Sequence, residues 1–161
     1  MVIYISQSCK YYLEKDYIIN TKGEIFLPTA KFKVKSKSES PTKTVVKARN
    51  FELVIDEPKN LGGTDAGPNP VEYILAALSG CMNVVSHLIA KEMGFELRGL
   101  EFELEGDLDP AKFSGQDTDS RAGYQEIRVY IKPDTDADQT TLERWLQAIE
   151  QRCPVSDNLS N

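Results

Sequence analysis

Residues 67–94, GPNPVEYILAALSGCMNVVSHLIAKEMG, constrain what this chain can fold into more than any other stretch. Their ends carry helix signals: Asn69 suits an N-cap, Pro70 the first helical position, and Glu72 completes a capping box with Asn69. Gly94 follows the last residue of the pattern and suits a left-handed stop. Almost no polar face interrupts the run before Lys91. A surface helix carries a polar stripe along its length, so this pattern predicts a helix covered on most of its sides. Tyr73 to Ala90 approaches the ~18 apolar residues that suggest a membrane span. Ser79, Asn83, Ser86 and His87 are costly in lipid, and charged, strand-like segments flank the run, so a helix buried in protein is the expectation.

A chain of 161 residues is long enough to bury a sizeable core as one domain. A net charge of −6 argues against a nucleic-acid surface, which needs clustered Lys and Arg on one face. The basic row Lys31, Lys33, Lys35 and Lys37 alternates with other residues and reads as the wet face of a strand. Three cysteines form no disulfide framework, and no secretory signal opens the chain, so reduced thiols in a cytoplasm are expected.

Along the chain, Val2–Ile5, Tyr17–Ile19 and Glu24–Leu27 read as short strands, with a turn at Lys22-Gly23. Cys9 lies among them with no ligand-like neighbour. Lys31 to Lys35 alternates as a strand, Ser36 to Thr42 reads as a polar loop, and Thr44–Ala48 with Phe51–Ile55 forms a hairpin about Arg49-Asn50. The glycines of residues 61–68 lack the spacing of a phosphate or dinucleotide loop and serve a tight turn into the helix. After the helix, residues around 97–106 and 124–131 read as strands, the second with Tyr124, Glu126, Arg128 and Tyr130 on one face and closed by Pro133. A second, amphipathic helix runs from about Asp138 to Cys153-Pro154, carrying Leu142, Trp145, Leu146 and Ile149 inward. The fold class is α+β, helices on a largely antiparallel sheet.

The residues leave two readings of Cys81 open. In the middle of an apolar helix it is either a small core residue or a reaction centre, and burial raises a thiol pKa. Cys153, before Pro154-Val155-Ser156-Asp157, suits the N-cap of a further short helix, where N–H groups favour a thiolate. His87 points about 120° away from Cys81 around the helix and is poorly placed as its base, and ligands for zinc are lacking.

Asp56-Glu57-Pro58, Leu61-Gly62-Gly63, Gly67-Pro68-Asn69-Pro70-Val71-Glu72 and Leu75-Ala76-Ala77-Leu78-Ser79-Gly80-Cys81, with the later Arg152-Cys153-Pro154-Val155-Ser156-Asp157-Asn158-Leu159, resemble the OsmC/Ohr family of cysteine-based peroxidases. The similarity runs from about Ala30 to the end of the chain, making 30–161 an OsmC-like domain and 1–29 an N-terminal extension. The resemblance implies an intertwined homodimer in which a curved antiparallel sheet and the long central helix are buried against the partner. It implies Cys81 as the peroxidatic nucleophile toward organic hydroperoxides, Cys153 as the resolving thiol, a small or lipoylated dithiol as reductant, and no metal, haem or flavin. An alternative within the same fold is a non-catalytic protein binding a small apolar ligand. The family's peroxidases place, directly after Asn-Pro, a glutamate that holds an activating arginine. Here that position is Val71, the acid follows as Glu72, and Arg49 is the nearest candidate for the arginine. Family members usually continue past the second cysteine into another strand, which this chain is expected to lack.

Overall fold

The computed structural model describes residues 29–160 and, ahead of them, three short strands: β1 (Tyr12–Glu14), β2 (Tyr17–Ile19) and β3 (Ile25–Phe26), paired antiparallel in that order. The expected strand at Val2–Ile5, the turn at Lys22-Gly23 and Cys9 lie outside the described residues. A second antiparallel sheet joins β4 (Lys35–Ser38), β5 (Thr44–Ala48) and β6 (Phe51–Ile55). The hairpin bounds are those the sequence predicts, but it is Arg49, not Asn50, that adopts positive φ, at 58°. The alternating run at 31–35 does not form its own strand. β4 pairs with β5 from Lys35↔Lys47 onward, and the hairpin turns two residues past Lys47, so residues 31–34 overhang the sheet and Phe32 stands 91% exposed.

The central helix α1 spans Pro70–Met93. Its capping box is complete: Asn69 Oδ1 accepts from the Glu72 N–H at 2.9 Å, and Glu72 Oε2 accepts from the Asn69 N–H at 2.8 Å. Gly94 ends it in the left-handed region, φ 77°. The loop feeding α1 is held by Asp56, which has no exposed surface. Its carboxylate accepts from the backbone N–H groups of Glu57, Thr64 and Ala66 and from the Thr64 hydroxyl at 2.5 Å. These donors, the Thr64 hydroxyl foremost, bring its pKa down to about 2 despite burial. Gly63 allows the loop to close, because a Cβ there would lie 1.8 Å from the Glu57 carbonyl oxygen.

Beyond α1, β7 (Gly99–Leu108) and β8 (Tyr124–Asp134) form a two-stranded antiparallel ribbon, followed by α2 (Gln139–Arg152) and α3 (Pro154–Ser160). β8 runs through Pro133 rather than stopping there, because Pro133 sits opposite Leu100 on a strand whose other edge carries no partner among the described residues. A register shift between Asp107 and Leu108, which face Glu126 and Tyr124, leaves Gln125 as the extra residue. The bulge turns Tyr124 inward, away from the face shared by Glu126 and Arg128, against the simple alternation expected from the sequence. Its ring covers Gly106, and its hydroxyl donates to the Val71 carbonyl at 2.9 Å.

The core lies where α1, α2 and the inner face of β7–β8 meet. Leu78, Val85, Ile89 and Ala90 of α1 close on Trp145, Ile149 and Cys153, flanked by Leu100, Leu104, Ile127 and Val129. Trp145 is its largest buried side chain: it meets Phe95 edge-to-face at 6.0 Å and donates from Nε1 to the Ser86 carbonyl at 3.0 Å. Burying it contributes roughly 3 kcal/mol. Among the described residues, however, α1 is covered mainly on one side. Ala77 and Gly80 are exposed, as are Val84 (66%) and Leu88 (46%), forming an open apolar stripe. Among the described residues α2, β7 and α3, all from the C-terminal half of the chain, pack most extensively on α1, and Tyr73 of α1 donates from its hydroxyl to the Val54 carbonyl of β6 at 2.9 Å.

Candidate functional site

Cys81 is half-buried on α1, between the core stripe of Leu78 and Val85 and the open stripe of Val84 and Leu88. Cys153, 1% exposed, caps α3. The two are free thiols that the fold brings together from positions 72 residues apart. Cys153 lies close enough to Cys81 to influence its thiol.

The first turn of α3 serves both sulfurs. Pro154 has no N–H, so the first donors are those of the next two residues. The Val155 N–H is directed to Cys81 Sγ, and the Ser156 N–H donates to Cys153 Sγ at 3.5 Å. Cys153 therefore takes the cap position that its sequence context predicts. Burial is the largest influence on the Cys81 thiol and pushes its pKa up; the Val155 N–H works in the opposite direction, and the neighbouring Cys153 adds to the rise. No guanidinium or ammonium of the described residues is among the groups acting on it.

The other sequence candidates sit elsewhere. Glu72 is exposed and engaged in the capping box. Arg49 lies at the exposed hairpin tip, its guanidinium 5.0 Å above the Phe51 ring. His87 is exposed on α1, away from the thiol pair.

A cavity of about 690 Å³ runs beside the pair, bounded by Val71, Ile74, Leu78 and Met82 of α1, Ile127 of β8 and Leu146 of α2. Its length along α1 from Val71 to Met82 is about 16 Å at 1.5 Å per residue. Sequence reasoning places Leu146 in the core, but it is 42% exposed and lines this cavity instead. The cavity itself, the Asp56 hub and the Val155 donor have no local sequence signal. Each depends on contacts between segments that only the tertiary fold joins.

The family model for OsmC-like proteins matches residues 63–161, which contain α1, both thiols and the whole helical core. The chain belongs to the OsmC family. No curated protein sequence matches it. Among solved structures, an OsmC-like protein from Mycoplasma pneumoniae superposes with a TM-score of 0.72 at 19% identity, covering 82% of this chain and 89% of that one. An organic hydroperoxide resistance protein OsmC from Legionella pneumophila gives 0.62 at 18% identity, with 81% and 91% covered. An organic hydroperoxide resistance protein from Elizabethkingia anophelis gives 0.60 at 17%, with 81% and 89% covered. These likenesses establish the OsmC fold for this chain. In place of the single curved sheet that the family resemblance implies, the strands of the described residues form separate antiparallel sheets of three, three and two strands.

Proposed function

We propose that this OsmC-family protein is a thiol-dependent peroxidase for organic hydroperoxides, working as a homodimer in the cytoplasm. The observation that carries the reading is the meeting of two reduced cysteines, one half-exposed and one sealed, with a backbone N–H directed at each sulfur. The Cys81 thiolate attacks the terminal peroxide oxygen. The O–O bond breaks, Cys81 becomes a sulfenic acid, and the departing alkoxide takes up a proton to leave as the alcohol. The Cys153 thiol then displaces the sulfenic hydroxyl, releasing water and forming a Cys81–Cys153 disulfide. A dithiol, small or lipoylated, reduces that bond by exchange.

Because nothing cationic among the described residues acts on Cys81, Arg49 is assigned the activating role through the dimer, with Glu72 fixing the start of the helix that carries the thiol. The open apolar stripe of α1 and the exposed Phe51 and Leu53 of the β4–β6 sheet support a second copy as their cover. The test uses Cys153→Ser: hydroperoxide followed by dimedone labels Cys81, and Arg49→Ala slows alkylation of Cys81 about tenfold or more, the loss expected when a charge pair to a thiolate is removed. A Cys153→Ser protein that yields no adduct under excess peroxide contradicts the peroxidase reading. An unchanged alkylation rate in Arg49→Ala removes Arg49 from it.

A second reading is favoured by the raised Cys81 pKa and by the cavity, whose volume lies within the range of small-molecule sites. It takes the protein as a binder of a small apolar molecule in this cavity, with Cys81 outside its lining and without a chemical role. Saturable binding of an apolar fluorophore, lost in Leu78→Asp and unaffected by Cys81→Ser, together with no peroxide consumption, would select it.

A further inference from the structure

Most arginines of the described residues have a charged or aromatic partner. Arg98 pairs with Asp134 and Asp136, Arg128 with Glu105 and Asp107, and Arg152 with Glu92. Arg49 stacks on Phe51, and Arg144 lies near enough to Asp138 to help lower its pKa. Arg121 differs from all of them. Its carbonyl accepts from Gln125 Nε2 at 2.8 Å, but its guanidinium has no partner among the described residues.

Arg121 lines the cavity beside the thiols, as the one basic residue of that lining. The corner that carries it is built. Gln125 Nε2 also donates to the Gly123 carbonyl at 2.9 Å, and the Tyr124 hydroxyl ties the same corner to the Val71 carbonyl in the first turn of α1. The backbone is therefore held while the side chain stays exposed and unpaired. Next to it the walls are apolar, with Val71, Ile74, Leu78 and Met82 on α1 and Ile127 and Leu146 across from them. An unpaired guanidinium beside an apolar cavity of about 690 Å³ complements a molecule with an apolar chain and an anionic head.

We infer that this cavity binds an amphipathic anion, a single apolar chain ending in a carboxylate or a phosphate monoester, with Arg121 holding the head and the α1 wall taking the chain. The acids of the lining fix the orientation. Glu126 lies 3.2 Å from Arg128, which offsets its charge. Glu150, on α2, forms no ion pair with Arg121 and repels an anion, so the head has one favourable place on the rim. Because Tyr124 sets the Arg121 corner against the first turn of α1, a chain held there extends along α1 toward Met82 and the first turn of α3. Ser156 of that turn lines the same cavity and donates to Cys153 Sγ. The chain thus ends near the thiol pair while Cys81 stays outside its lining. The inference deepens the second reading above: it rests on the cavity being a ligand site and needs no reaction at either sulfur.

The test titrates dodecanoate, dodecyl phosphate, dodecanol and dodecyltrimethylammonium, each below its micelle-forming concentration, into the full chain by calorimetry. At least one anion binds about tenfold more tightly than dodecanol, the gain expected from charged hydrogen bonds at a rim, and the tighter anion names the head. Arg121→Gln removes that advantage and leaves dodecanol binding unchanged, whereas Arg121→Lys keeps part of it. Each methylene removed from the anion weakens binding about fourfold. Leu146→Trp, which narrows the cavity, weakens every chain; binding indifferent to it places the chains elsewhere and overturns the site. Dodecanol binding as tightly as both anions, a preference for the ammonium, or an anion preference that survives in Arg121→Gln would each overturn the head assignment while leaving the cavity a ligand site. A wild-type protein that binds none of the four overturns the cavity as a ligand site, and the second reading with it.

Discussion

Replacing Gly106 by alanine tests whether the bulge in β8 sets the wall of the cavity beside the thiols. A Cβ at position 106 would lie 2.4 Å from Cε1, 2.6 Å from Cδ1 and 3.0 Å from Cζ of Tyr124. Restoring ordinary contact at 3.4 Å requires the ring to retreat by about 1 Å. The ring cannot do so and keep its hydroxyl on the Val71 carbonyl at 2.9 Å in the first turn of α1. Overpacking costs about 1–3 kcal/mol and the lost hydrogen bond about 1 kcal/mol, so Gly106→Ala destabilises by about 2–4 kcal/mol. For a domain of this size that lowers Tm by about 4–16 °C. Urea unfolding of Gly106→Ala, Tyr124→Ala and the double variant gives the coupling directly: the double variant loses much less than the sum of the two singles. A Gly106→Ala protein within about 0.5 kcal/mol of wild type, or strictly additive losses, refutes the claim that this ring needs this glycine.

Two further outcomes follow from the charges. Asp56 holds a folded pKa of about 2 against 3.8 for the free side chain, so its contribution to stability is complete above 3.8, declines as the pH falls toward 2, and is gone below. Asp56→Asn therefore flattens the acid limb of a urea-midpoint profile and exposes residues 61–67 to proteolysis; an unaltered acid limb contradicts the hub. Burial raises the Cys81 thiol, so in Arg49→Ala its alkylation rate keeps climbing above pH 9.0, whereas a plateau reached near neutrality would show an activating group other than Arg49.

What the sequence discloses is local. The ends of α1 are legible because Asn69, Pro70, Glu72 and Gly94 each satisfy a nearby backbone group, and the hairpin at Arg49-Asn50 is closed by its own neighbours. Cys153 is legible as a cap for the same reason. Tyr124 faces the wrong way in a simple alternation because the single extra residue of the bulge, set by pairing with β7, inverts everything before it. Lys31 to Lys35 has a strand pattern, but the strand it would pair with ends at the hairpin turn, so the pattern has no partner among the described residues. Asp56 looks like the polar end of a strand, and its role appears only once the loop folds back to bring Thr64 and Ala66 to its carboxylate. The apolar character of α1 suggests burial on most sides, but the described residues cover mainly one side, leaving Val84 and Leu88 to a second molecule in the account proposed above.

The pairing of the two thiols carries the functional account, and disulfide mapping tests it most directly. Reduced wild-type protein is treated with one equivalent of a lipid or tert-butyl hydroperoxide, alkylated, digested and read by mass spectrometry. The account predicts a single new Cys81–Cys153 disulfide formed as the corresponding alcohol appears. Both cysteines recovered as free, alkylated thiols after prolonged exposure, with the hydroperoxide unconsumed, would contradict it.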